Sequence, residues 1–337
     1  MINRLKDIIE KGKTLFGKYY RYYPYLSLTF GFATIILWER GFEFVRWIFI
    51  YLIVIAITTL IIIRLLTGYA ERRRLFSYSI IAIDFINQNL YQDMLFFLLP
   101  IYWSSATVFS LNITFVLMLL ILCLITAFDN LYKSLLLRNT YIRYAFFVFV
   151  LFGFLNFSLP VLLGIKNIWS LYLSIFISIL ILTPLFIGAK VGEYSKKYHA
   201  FYIIAIGILS FLLLSISKPF IPPVPLTLKH GVVSTGIDRN LREPIAPFKK
   251  IRSSELSEVY CYTRIFAPQG VKERLWHVWK RDGVVVQKVQ LNISGGRKEG
   301  FRTWSKKTLR ENDVGSYTID VVTDGGQLVG QVRFKIV

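Results

Sequence analysis

The sequence predicts two parts of unlike fold: an α-helical polytopic membrane domain of about seven transmembrane helices, and a small all-β immunoglobulin-like sandwich. Three observations predict them. The 337 residues are 55% hydrophobic with a mean hydropathy of +0.52, above the roughly 45–50% apolar content of soluble domains. Long apolar runs fill residues 23–217, and from Glu255 onward the hydrophobic period changes to two. The change begins at Phe201 to Pro225, where an apolar run gives way to Lys218-Pro-Phe-Ile-Pro-Pro-Val-Pro225, a stretch that cannot continue a helix. The expected parts are a basic amphipathic N-terminal segment (1–22), a transmembrane helical domain (23–217), a Pro-rich linker (218–254) and an antiparallel β-sandwich (255–337).

In order, Met1 to Tyr20 sets apolar residues at helical spacing among Lys6, Lys11, Lys13 and Lys18, which suits a helix lying on an anionic leaflet or an ordinary basic tail. No signal peptide is expected there, because no short apolar core precedes a small-residue cleavage site. Expected spans are Tyr23–Trp38, Trp47–Leu66, Met94–Phe109, Thr114–Phe128, Tyr144–Leu163, Ile168–Ile187 and Phe201–Ser217. Phe76 to Gln92 reads as an interfacial helix, since Asp84, Gln88 and Gln92 stand at i, i+4 and i+8 and draw a polar stripe. Alternate loops differ in charge, sixteen Lys and Arg on one set against four on the other. That bias puts the N-terminus in the cytoplasm and the β domain on the opposite side. The proline-dense start of the linker is expected to act as a stiff spacer.

Beyond it, Val259–Ile265, Leu275–Trp279, Val284–Ile293, Phe301–Lys306, Gly315–Thr323 and Leu328–Val337 read as strands, with Arg281-Asp-Gly283 and Asp324-Gly-Gly326 as hairpin turns. The stretches His277-Val-Trp-Lys-Arg-Asp-Gly283, Arg302-Thr-Trp-Ser-Lys306 and Gly315-Ser-Tyr-Thr-Ile-Asp-Val-Val-Thr323 resemble domain-of-unknown-function family 2914 over about Val259 to Val337. The hydrophobic N-terminal portion looks like the membrane region that accompanies this domain in some bacterial envelope proteins. The resemblance implies a bacterial protein with a β domain and supplies no catalytic residue.

On the candidate strands, Leu275, His277 and Trp279 share one face, and Arg302, Trp304 and Lys306 share another. Two readings stand. His277, Trp279, Arg302, Trp304 and Lys306 form an exposed platform for sugar rings and anionic groups, or one tryptophan is core and the cations line a solvated face. In the helical part, Asp84 and Gln88 are the intramembrane polar candidates, either lining a cavity or lying at an interface. Cys123 and Cys261 do not pair, and His199, His230 and His277 lack ligand spacing, so neither metal nor cofactor is expected. No HExxH, GxSxG or phosphate-loop motif occurs. The net charge of +20 divides as +11 before residue 223 and +9 after it, spread among acids. Nucleic acid is therefore not an expected partner, whereas membrane lipids, an envelope glycan or a periplasmic protein are. The expectation is a non-enzymatic inner-membrane protein with a periplasmic recognition or assembly module. The alternative is a transporter or lipid-modifying membrane enzyme whose cavity lies among the helices, with the β domain as lid or dock.

Overall fold

No glycine interrupts the sequence from Arg74 to Ser105, and in the computed structural model this stretch forms one helix of 32 residues, α1. The structure describes residues 74–188, 196–252, 257–268, 273–291, 295–310 and 313–337, with Val271 and Ile293. A 15-residue helix α2 (Ile113–Ala127) follows, then the short α3 (Asp129–Leu131), which continues as a wide π-type turn, Tyr132–Leu137. Helix α4 (Thr140–Leu163) starts where the Asn139 side chain accepts the Tyr141 N–H, and it stops at Gly164, whose φ of 63° suits a left-handed cap. Helices α5 (Asn167–Gly188) and α6 (Lys196–Ser217) follow as the last helices of the unit among the described residues. Its centre is α4, with Phe147, Phe154 and Phe157 buried between α1 and α5.

The expectation of seven spanning helices is overturned. Six α-helices occur among the described residues, one of them three residues long, and only Tyr141–Leu163 is long and apolar enough to cross a membrane. The expected interfacial helix and third span are one continuous helix, α1, and its buried surface includes Asn87, Gln88, Asn89 and Gln92. Helix α2 has 15 residues, about 22 Å at 1.5 Å per residue, short of a hydrocarbon core of roughly 30 Å. The N-terminal amphipathic segment and the first two expected spans lie outside the described residues.

The β-sandwich is present, and it is larger than the sequence reading allowed. One sheet runs β2-β1-β4-β7 and the other β3-β9-β8-β5-β6. The strands are β1 (Thr227–Asp238), β2 (Glu243–Phe248), β3 (Lys250–Ile251), β4 (Glu258–Phe266), β5 (Leu275–Arg281), β6 (Val284–Leu291), β7 (Phe301–Thr308), β8 (Gly315–Thr323) and β9 (Leu328–Ile336). Val233, Val259 and Cys261 from the first sheet pack on Trp279, Tyr317, Ile319 and Phe334 from the second. The β5–β6 hairpin turns at Asp282 and Gly283, with φ of 47° and 84°, the positive pair that a tight two-residue turn requires.

The expected spacer is corrected too. Residues 227–251 are strands β1 to β3, and Ile221, Pro222, Pro223, Val224, Pro225 and Leu226 are all buried. This elbow is clamped from both sides. Asn167, at the start of α5, donates Nδ2 to the Val224 carbonyl at 2.8 Å, and Gln327, from the β8–β9 turn, donates Nε2 to the Ile221 carbonyl at 3.1 Å. Asn112, before α2, donates to the Leu328 carbonyl at 3.0 Å. The sandwich therefore seats on the α1–α2 and α4–α5 connections.

Candidate functional site

Alternation on β5 puts Leu275, His277 and Trp279 on one face, and the structure turns that face inward, with all three 0% exposed. Opposite them on β7 stand the small hydroxyl residues Thr303 and Ser305, so parity sends Arg302, Trp304 and Lys306 outward. The five sequence candidates thus divide. His277 and Trp279 belong to the core, out of reach of a surface ligand, while Arg302, Trp304 and Lys306 form an outer row.

Inside, one hydrogen-bonded group ties the sheets together. Thr263 Oγ1 donates to the Thr303 carbonyl at 3.3 Å and lies 3.1 Å from His277 Nε2. Its single proton is thereby used, so Nε2–H donates to it and His277 is the neutral Nε2–H tautomer. Nδ1 then accepts the Ser305 hydroxyl at 2.7 Å, and Ser305 Oγ accepts Trp279 Nε1–H at 2.9 Å. Burial pushes the His277 pKa down to about 3 because no counter-charge faces the ring. A serine so close to a histidine has the spacing of a nucleophile and its base. With Ser305 3% exposed, no substrate reaches it, and the group is structural.

Outside, β4 and β7 pair Tyr260 with Lys306, Tyr262 with Trp304 and Arg264 with Arg302. Glu258 accepts from Lys306 Nζ and from the Tyr260 hydroxyl, each at 2.8 Å, and these two donors hold its carboxyl below the usual range. Glu243, on β2, accepts two hydrogen bonds from Arg264, at 3.0 and 3.1 Å, and pairs with Arg302 at 3.1 Å. Arg302 also donates to the Leu241 carbonyl. Trp304, 36% exposed, therefore stands between cations that already have carboxylate partners. The face offers an aromatic surface flanked by both donors and acceptors and carries little net charge. Sequence reasoning missed Tyr260, the fully covered Tyr262, Arg264 and Glu243. The first three have the same parity on β4, a signal available at period two, whereas Glu243 lay inside the supposed linker.

In the helical unit, Gln88 is 4% exposed and donates to the Thr126 carbonyl of α2 at 3.0 Å, joining two helices. Asp84 lies on α1, and its side chain is outside the described set. Among the described residues, no three His, Cys, Asp or Glu side chains gather as metal ligands.

A model described as a protein of unknown function, DUF2914, matches residues 272–336, in agreement with the resemblance of the C-terminal strands. A solved structure similar to this chain is that of an immunoglobulin-like protein from Pseudomonas aeruginosa. It is 11% identical, covers 33% of this chain and 96% of its own, and has a TM-score of 0.23. No curated protein matches the chain. A second family model covers residues 2–263 and so takes in β1, β2 and β3 together with β4 as far as Thr263; by that match over more than half its length, the chain belongs to the family of unknown function DUF5924.

Proposed function

We propose that this chain is a bacterial inner-membrane protein that holds a β-sandwich at the periplasmic surface as a recognition module for an envelope glycan. The observation that carries the reading is the apolar exterior of the helical unit, at one end of which the sandwich is docked. Ile121 on α2, Phe176 on α5 and Ile208, Leu212 and Ile216 on α6 are exposed, and exposed apolar surface on this scale marks a partner or a membrane. Trp103 and Trp169 are exposed near the sandwich end, where interfacial tryptophans anchor at headgroup level.

Charge supports the orientation. Lys133, Arg138 and Arg143 lie in or beside the α2–α4 connection, and Lys196 and Lys197 open α6, all at helix ends away from the sandwich. The sandwich end has Lys166 and Lys218. This distribution favours a cytoplasmic far end.

The recognition surface is Trp304 with Arg302, Lys306, Tyr260 and Arg264. A ring face stacks on a sugar ring, and paired guanidinium and carboxylate groups exchange hydrogen bonds with hydroxyls, which both donate and accept. A strongly anionic ligand would have to compete with Glu243 and Glu258. The test is binding of the full chain in detergent to purified peptidoglycan and lipopolysaccharide. Wild type binds one of these, and Trp304→Ala weakens it at least about tenfold, the loss of one good stacking contact. Equal binding by wild type and Trp304→Ala, or no binding by wild type, contradicts the proposal.

A further inference from the structure

The seam between sandwich and helices holds three buried oxygens that accept nothing. Among the described residues, Asn167 Oδ1, Gln327 Oε1 and Glu273 Oε1 have no hydrogen-bond partner, although Asn167, Gln327 and Glu273 are 3%, 1% and 6% exposed. The two amides cannot turn over to relieve this. Their nitrogens already donate to the Val224 and Ile221 carbonyls, and a reversed amide would set oxygen against oxygen. Glu273 is tied into the same place, since its Oε2 accepts the Asn167 backbone N–H at 2.8 Å. The strands' side of the seam is closed by Asp324 N–H donating to the Arg274 carbonyl, and a Cβ on Gly325 would stand 3.1 Å from Ile168 Cβ. Among the described residues of the seam, buried acceptor oxygens therefore outnumber the donors that reach them.

We propose that Glu273 is a proton-operated latch: one proton on its free oxygen supplies the missing donor and tightens the seating of the sandwich on the α4–α5 connection. The charged groups that face it are Lys166 on that connection and Asp324 on the β8–β9 turn, themselves 3.7 Å apart. Burial raises the Glu273 carboxyl above its ordinary value; the Asn167 N–H, Lys166 and, more weakly, the Asp324 backbone N–H oppose that rise, while the Asp324 carboxylate adds to it. A carboxyl whose affinity for a proton is higher docked than undocked favours the docked state at low pH, and the advantage disappears as pH rises through the docked value. The proposal is independent of glycan recognition and of the bilayer seat, since it concerns only how two parts of one chain meet.

The test is hydrogen exchange of the full chain, read as the protection factor of the peptide spanning residues 164–171, which contains the Asn167 amide. Measurements run from about pH 8 to about pH 5 in wild type and in Glu273→Gln, whose side-chain amide is a permanent donor of the same shape. Wild-type protection is expected to rise about tenfold per pH unit at most, the limit for one coupled proton, while Glu273→Gln stays protected throughout. Protection of the β8 amides, unchanged in both, shows that the sandwich is folded. Flat wild-type protection overturns the latch, as does a Glu273→Gln profile that follows wild type. Loss of protection in Glu273→Gln at every pH also overturns it, because the charged carboxylate would then be what holds the seam.

Discussion

In the sandwich, Val259, Cys261, Trp279 and Ile319 lie inside while Arg302 and Lys306 lie outside; in the helical unit, Gln88, Asn156, Ser174 and Ser178 lie inside while Ile121, Ile208 and Leu212 lie outside. Both parts bury apolar side chains, and both hold bonded polar groups among them; they differ in what they expose, ion-paired rows on the sandwich and large apolar side chains on the helices. In the sandwich, apolar burial is the main stabilising term. In the helices, buried polar groups bond across: the Tyr102 hydroxyl of α1 donates to the Gly153 carbonyl of α4 at 2.8 Å, and Ser170 of α5 donates to the Asn156 carbonyl at 2.8 Å. Such bonds hold helices together where the surroundings are as apolar as leucine. The outer surfaces differ, and the exposed apolar side chains of the helices are what supports the proposed bilayer seat.

The largest effect is expected from Trp279→Ala, which empties the sandwich core and leaves Ser305 without a donor. It should cost about 3–5 kcal/mol, read as a lowered denaturation midpoint with loss of tryptophan emission change. Next comes Ile208→Lys, which places a charge on the helical exterior. In a bilayer that costs about 2.5–3.5 kcal/mol at depth and lowers membrane-inserted protein, whereas an exterior in water would accept lysine freely.

A smaller effect concerns His277. Its folded-state pKa is about 3, against roughly 6.5 unfolded. The unfolded chain therefore binds the extra proton between these values, and stability is lost as pH falls below about 6.5. A thermal melt series from about pH 7 to about pH 5, above most carboxylate titrations, should show this slope. In His277→Gln this loss on acidification disappears, leaving any opposite slope from Glu273. Smallest is Arg302→Ala, which removes one partly exposed partner of Glu243 and should change stability by under about 1 kcal/mol; a larger loss would mean the outer row is structural rather than a binding face.

How much of this was legible depended on local regularity. Strands β4 to β9 and the Asp282-Gly283 turn are written in period two and in turn residues that tolerate positive φ. Strands β1 to β3 were missed because Pro244 and Pro247 read as linker. They lie in β2, the edge of its sheet, where a missing N–H costs no ladder bond. The period also told which residues share a face but not which face is inner. The larger Trp304 went out and the smaller Ser305 in, because Ser305 serves His277 and Trp279 across the sheets. In the helices, apolar runs marked α2, α4, α5 and α6 but not how many cross a membrane, and the joining of Phe76–Gln92 to the next run was hidden because Gln88 finds its partner on a helix distant in sequence, the Thr126 carbonyl.

Spin labels on single cysteines at Ile208, Leu212 and Trp304, in the full chain reconstituted in liposomes, report whether lipid covers the helical exterior, with Cys123 and Cys261 both buried and silent. Labels at 208 and 212 are expected to be relaxed by oxygen and shielded from an aqueous nickel complex, and the label at 304 the reverse. Labels at 208 and 212 open to nickel would put the helical exterior in water and contradict the bilayer seat; labels closed to both reagents would mean that protein, not lipid, covers that face.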